Sequence, residues 1–123
     1  MASFVHFISC LTTNMKLYHW TTTSYARHKA ADDCVDVIAG HGDRFMEVYI
    51  GKYGRGLQPS KKETNMTLMY LKDADVVPFL DDSIKYLMKD VPKMLSKDDV
   101  DLLNIRDDMV GALNQTKYLL TLS

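Results

Sequence analysis

Apolar residues recur along this chain at helical spacing almost from its first residue. Phe4, Ile8, Leu11, Met15 and Tyr18 follow one another by four and three, the stripe of a helix with one buried face. The run Thr21-Thr22-Thr23-Ser24 interrupts it, because β-branched and cap-forming residues favour a break and a fresh start. A second helix is predicted over 25–50, closed by Gly51, Gly54, Gly56 and Pro59. Gly40 and Gly42 lie inside it at a cost of about 1 kcal/mol each against alanine, and glycines kept in a helix allow a neighbour to pack closely. Residues 51–74 form a long connection, with one helical turn expected at 67–71, and such a length crosses a bundle rather than closing a tight hairpin. A third helix is expected from Asp75, with Pro78 in its first turn, the stripe Leu80, Ile84, Leu87 and Val91, and Pro92 to end or kink it. Ser96 is the expected N-cap of a fourth, with Asp98 and Asp99 at its positive end and Val100, Leu103, Val110, Leu113 and Leu120 as its stripe. The pattern predicts a single all-α domain over 1–123, a four-helix bundle with one long crossover between its second and third helices. There is no internal repeat and no pair of strand-like segments.

Composition narrows the partners. At 123 residues, 46% hydrophobic, 25% charged and a net charge of -1, the chain can bury one core and has no densely basic segment. A nucleic-acid partner is therefore not expected; Lys52, Arg55, Lys61 and Lys62 read as a solvated crossover. Met1 to Met15 carries no charge, yet His6, Ser9, Thr12, Thr13 and Asn14 make it too polar, and it is too short, to span a bilayer. It also lacks the basic start and clean apolar run of a signal peptide, so a cytoplasmic protein without a membrane partner is expected. Cys10 and Cys34 read as two reduced thiols, and without a C-x-x-C a thiolate zinc site is disfavoured.

The second helix carries the candidate chemistry. Advancing ~100° per residue from His28, the residues Asp32, Asp36, Asp43 and Glu47 fall within about a quarter-turn. Ala31, Cys34, Val35, Ile38, Phe45 and Tyr49 occupy a different arc, so the acidic stripe faces water or another subunit. A solvated face is the commoner explanation of such a stripe, and three details argue for a metal instead. Asp43 and Glu47 stand four apart, able to share a cation and repelling each other without one. His28 shares their face, and imidazole with carboxylate suits iron, zinc and manganese. Glu47 is one of two glutamates beside fourteen aspartates, whereas a merely solvated helix face would more naturally use glutamate. His19 ends the first helix one residue past Tyr18; taken alone it is a packing residue, as are His6 and His41. The methionines read as core filler.

From Tyr18-His19-Trp20 through Asp43-Arg44-Phe45-Met46-Glu47 the chain resembles the Dps-type mini-ferritins, ferritin-like four-helix proteins that form hollow twelve-subunit shells. In that family a His-Trp pair ends the first helix, a second histidine opens the next, and an Asp-x-x-x-Glu pair follows fifteen residues later, as Asp43 follows His28 here. Asp32 falls where the family often has another carboxylate, and Asp101-Leu102-Leu103 to Tyr118-Leu119-Leu120 looks like its last helix. Two departures stand out: the turn from His19 to His28 is about three residues shorter, and the lysine-rich tail some members use on DNA has no counterpart before Phe4. The resemblance implies iron, as a mono- or di-iron site between two subunits with histidines from one and carboxylates from the other. Its metal ligands would be His19, His28, Asp32, Asp43 and Glu47, with Trp20 packed nearby. No Glu-x-x-His occurs, so a di-iron site inside one bundle is disfavoured. The implied activity is Fe(II) oxidation by hydrogen peroxide or oxygen, with iron storage, in a homodimer or a dodecamer. The rival expectation is a structural or assembly subunit whose histidine–acid cluster is vestigial or holds a structural ion.

Overall fold

The computed structural model describes residues 1–56 and 64–122, and those residues form four helices and no strand. Helix α1 spans Ala2–Thr21 and α2 spans Tyr25–Tyr53. Helix α3 spans Asp73–Lys85 and runs on through a π turn, Tyr86–Asp90, into a 3-10 turn, Val91–Met94. Helix α4 spans Val100–Leu120. The chain is thus an all-α, four-helix bundle in which α2 packs chiefly on α1 and α4.

The first break forms as its residues dictate. Thr22 adopts an extended backbone, and Ser24 caps α2 by accepting the Arg27 N–H at 3.3 Å. Of the predicted stripe, Phe4, Leu11, Met15 and Tyr18 are buried in one core with Ala31, Cys34, Ile38 and Phe45 of α2, and Ile8 is half-buried against it. Phe4 stacks on Phe45 with ring centroids 4.3 Å apart, and Phe7 stacks on Tyr86 at 4.2 Å, tying α1 to both of its neighbours. Of the two interior glycines, Gly42 meets α1 closely: a Cβ there would stand 2.8 Å from Ile8 Cγ1. Gly40 has nothing within 4 Å and needs no such explanation. Helix α2 ends three residues beyond the prediction, at Gly54, whose φ of +88° is the conformation glycine tolerates.

Local chemistry overrides the sequence pattern in the second half. The helical turn expected at 67–71 is absent, because buried Asn14 takes the backbone groups such a turn would use: its Nδ2 donates to Thr67 O at 3.2 Å and its Oδ1 accepts from Met69 N–H at 2.7 Å. Lys61 and Lys62 of the crossover lie outside the described residues. Helix α3 begins at Asp73, two residues early, where the Asp75 carboxylate accepts the Lys72 N–H at 2.9 Å. Pro78 therefore falls in the second turn rather than the first. The π turn before Pro92 has a definite consequence. In a five-residue register the Leu87 carbonyl faces Pro92, which has no N–H to give. Arg106 of α4 supplies it instead, donating from Nη1 to Leu87 O at 3.1 Å.

Helix α4 starts three residues later than a Ser96 cap implies. Ser96 caps only a turn, accepting Asp98 N–H on its hydroxyl at 3.2 Å, and Asp99 becomes the cap residue. Its stripe shifts in phase accordingly: Leu102, Ile105, Met109, Leu113 and Leu120 are buried while Val100 is 58% exposed. Asp99 is itself buried, held by Lys52 Nζ at 2.6 Å, Tyr53 OH at 2.6 Å and Ser96 N–H at 2.8 Å. The Lys52 ammonium beside it, with the tyrosine hydroxyl, holds this carboxyl down to about 2, and Lys52 is pushed above the usual lysine range.

Candidate functional site

The short turn between α1 and α2 brings the two histidines together. Their rings stack with centroids 3.8 Å apart and planes 20° from parallel. His19 Nδ1 lies 2.7 Å from the carbonyl oxygen of His28, and His28 Nδ1 lies 2.8 Å from that of His19. A carbonyl only accepts, so both Nδ1 atoms carry a proton and donate it. His19 is buried and His28 half-buried. The shortened turn therefore displaces neither imidazole from the other; it clasps them.

Asp32 lies one turn beyond His28 on α2, half-buried, with its Oδ1 3.9 Å from His19 Nε2. The same oxygen accepts from Lys16 Nζ at 3.0 Å, and that bond is the chief reason its carboxyl sits below the usual range. Lys16 was not among the residues its sequence context singles out. The available signal is its place three residues before His19, which puts both on one face of α1. Trp20 does not cover the pair; it is 68% exposed, with Lys16 Nζ 5.9 Å from its ring.

Asp43 and Glu47 form a separate centre. Both are exposed, and the Glu47 carboxyl is pushed up first by a side-chain hydrogen bond with Asp43 and then by the repulsion of its charge, which a shared cation would relieve. Asp43 borders a groove of about 270 Å³ between α1 and α2, lined also by Ile8, Thr12, Gly42 and Met46. Fifteen residues of helix at 1.5 Å each set Asp43 about 22 Å from His28, ten times a metal–ligand bond. Among the described residues no three His, Cys, Asp or Glu side chains of one chain converge on a metal position. Asp36 lies exposed between the two centres. His6 binds the Asn65 carbonyl at 2.8 Å, and neither Cys10 nor Cys34 is in a disulfide. Burial pushes both thiols up, so neither is an activated nucleophile.

Fold and side chains together define a helical-bundle protein with a clasped histidine pair at one end of α2 and a carboxylate pair toward the other. The chain belongs to DUF5856, a family of unknown function, whose profile matches residues 19–120. It is similar to an uncharacterized 14.6 kDa protein in the mobD-ri intergenic region of Enterobacteria phage T4, 31% identical over 107 residues that cover 85% of this chain and 74% of that one. No solved structure matches it. These matches overturn the resemblance to the Dps-type mini-ferritins: the segment 18–47 that carried it falls almost wholly within a different family. The physical reason is that helix geometry itself favours such spacings. Steps of four and fifteen residues both return to nearly one face of a 3.6-residue helix, so a few ligand-type residues at those intervals do not fix ancestry. Among the described residues no helix is long and apolar enough to cross a membrane.

Proposed function

We propose that the chain binds iron(II) between two copies of itself and supports its oxidation there. The observation carrying this reading is the reciprocal lock on His19 and His28. Each Nδ1–H is spent on a carbonyl, which leaves Nε2 as the nitrogen able to bind a metal, as in metal-binding histidines whose other nitrogen is held by a carbonyl. The donor set fits the ion, since two imidazoles and two carboxylates suit iron(II), with zinc and manganese as competitors.

The separation along α2 supports a shared site rather than one within the chain. Two α2 helices running antiparallel about a twofold axis would bring residue 28 of one opposite residues 43–47 of the other. Asp43 and Glu47 would then anchor the ion as hard anionic ligands, with Glu47 able to bridge to a second ion. His28 and His19 of the facing copy would complete the shell. Bound iron(II) would supply the redox chemistry, two ions each losing one electron per hydrogen peroxide reduced to water, while the protein's residues would fix ligand geometry and leave positions open for the oxidant.

Aerobic Fe(II) oxidation followed by absorbance, for the parent beside an Asp43→Ala/Glu47→Ala variant, tests this. Both positions are exposed, so the variant is expected to keep the parent's fold and lose its fast oxidation. Equal rates in the two proteins would refute the assignment. The rival, an assembly subunit with no working metal site, draws support from the ion pair that occupies Asp32. Iron content after purification, with and without a chelator wash, separates the two readings.

A further inference from the structure

Residues 65–71 contain no charge, glycine or proline, and residues 65–70 are exposed. Met66 and Met69 are 40% and 41% exposed, Leu68 60% and Tyr70 79%, together on the order of 400 Å² of mostly apolar surface. Helix α1 holds this segment by alternate backbone groups. His6 Nε2 donates to Asn65 O at 2.8 Å, Asn14 Nδ2 donates to Thr67 O at 3.2 Å, and Asn14 Oδ1 accepts the Met69 N–H at 2.7 Å. Residues 65, 67 and 69 thus turn toward α1, the alternation of a β-strand, whose successive residues direct their backbone groups to opposite sides. Among the described residues, Met66, Leu68 and Tyr70 make no hydrogen bond. The Leu71 N–H closes back on Met69 O at 3.0 Å and ends the run. One edge of the segment is therefore paired with helix side chains, and the other is open.

We propose that residues 66–70 form an interface with a second copy of this chain, the two segments pairing antiparallel about a twofold axis at Leu68. An open strand edge is completed by another strand, and natural edges that stay single carry Lys or Pro, neither of which stands between Asn65 and Leu71. Charge selects the occupant. A charged partner strand finds no counter-charge on this neutral segment, while a copy of it meets no repulsion. The alternation is also self-complementary. With Leu68 opposite Leu68 of the second copy, Met66 faces its Tyr70, and each of these pairs joins open backbone groups on both sides. That register sets Met66 of the second copy beside a groove of about 390 Å³ lined in part by Met69, Leu71, Pro78 and Phe79, and an unbranched thioether side chain suits an irregular apolar slot. The exposed apolar surface is about half of the ~800 Å² that each partner of a standard interface buries, so the dimer is a small one that dissociates at micromolar concentration. This edge shares no residue with the α2 face proposed for iron, and the two readings stand independently.

Sedimentation equilibrium of the full chain, over micromolar to millimolar concentration and in chelator to remove metal-mediated association, tests the pairing. The parent is expected to pass from monomer to dimer. Leu68→Lys and Leu68→Glu each set two like charges opposite one another at the axis, and each should weaken dimerisation at least tenfold. An equimolar mixture of the two sets lysine against glutamate and is expected to recover a mixed dimer. Leu68 is exposed, so both variants should melt with the parent at low concentration. Asp43→Ala/Glu47→Ala is expected to dimerise like the parent. A parent that stays monomeric throughout overturns the proposal and leaves the edge to a different chain. So does a Leu68→Lys variant that dimerises as the parent does, or a mixture that stays monomeric while the parent dimerises, because Leu68 then does not face its own copy. Loss of the dimer in Asp43→Ala/Glu47→Ala overturns it too, because the association then runs through α2.

Discussion

Gly42 and Gly40, two residues apart on α2, make a matched test of how closely α1 and α2 approach. Alanine at either position gains the helix propensity that glycine lacks, about 1 kcal/mol. At Gly40 that gain is unopposed, because a Cβ there meets nothing within 4 Å. At Gly42 the Cβ would stand 2.8 Å from Ile8 Cγ1 and 3.0 Å from Ile8 Cδ1. Cγ1 is no loose chain end: it branches directly from the Ile8 Cβ, and a β-branched residue in a helix has one strongly preferred χ1 rotamer. Relief therefore needs either an off-rotamer isoleucine or a shift of α1, and overpacking of this kind costs about 1–3 kcal/mol. The net expectation is Gly40→Ala stabilised by up to about 1 kcal/mol and Gly42→Ala destabilised by about 1 kcal/mol. At about 4 °C per kcal/mol for a domain of this size, the two variants should differ by about 8 °C in thermal midpoint. The assay is thermal denaturation by circular dichroism, in chelator and at low protein concentration, so that association through the exposed face of α2 does not contribute. A Gly42→Ala variant as stable as Gly40→Ala would refute the close approach of Ile8 to α2.

Two further predictions address polar groups that the helix ends depend on. Asp99 has a carboxyl depressed to about 2, against an ordinary value of 3.8. A depressed acid contributes stability that is fully present above its unfolded value and is lost as pH falls through its folded one. Asp99→Asn should therefore lower the midpoint at neutral pH and flatten its fall between about pH 4 and pH 2; curves that stay parallel to the parent across that window would show that Asp99 is not the group titrating. Arg106→Met leaves the Leu87 carbonyl without its donor opposite Pro92 and should cost about 1–3 kcal/mol in urea denaturation. An unchanged urea midpoint would mean that water serves that carbonyl equally well.

The sequence by itself determined the helices wherever the signal was local. The stripe from Phe4 to Tyr18, the cap at Ser24 and the left-handed glycine at Gly54 depend on residues within a turn or two of one another, so period and cap chemistry were enough. The acidic face of α2 was legible for the same reason. Tertiary structure decided what depends on partners distant in the chain. Asn14 of α1 abolished the turn at 67–71 from more than fifty residues away. Lys52 and Tyr53 drew Asp99 inward, and with it the start and phase of α4. The candidate site divides along the same line. Its residue types and their spacing could be read along the chain. The clasp of His19 on His28, the capture of Asp32 by Lys16 and the separation of both from Asp43 arise where α1 folds back on α2. A hydrogen bond or ion pair between distant residues has no period in sequence, because only the packing of the two helices brings its atoms within reach.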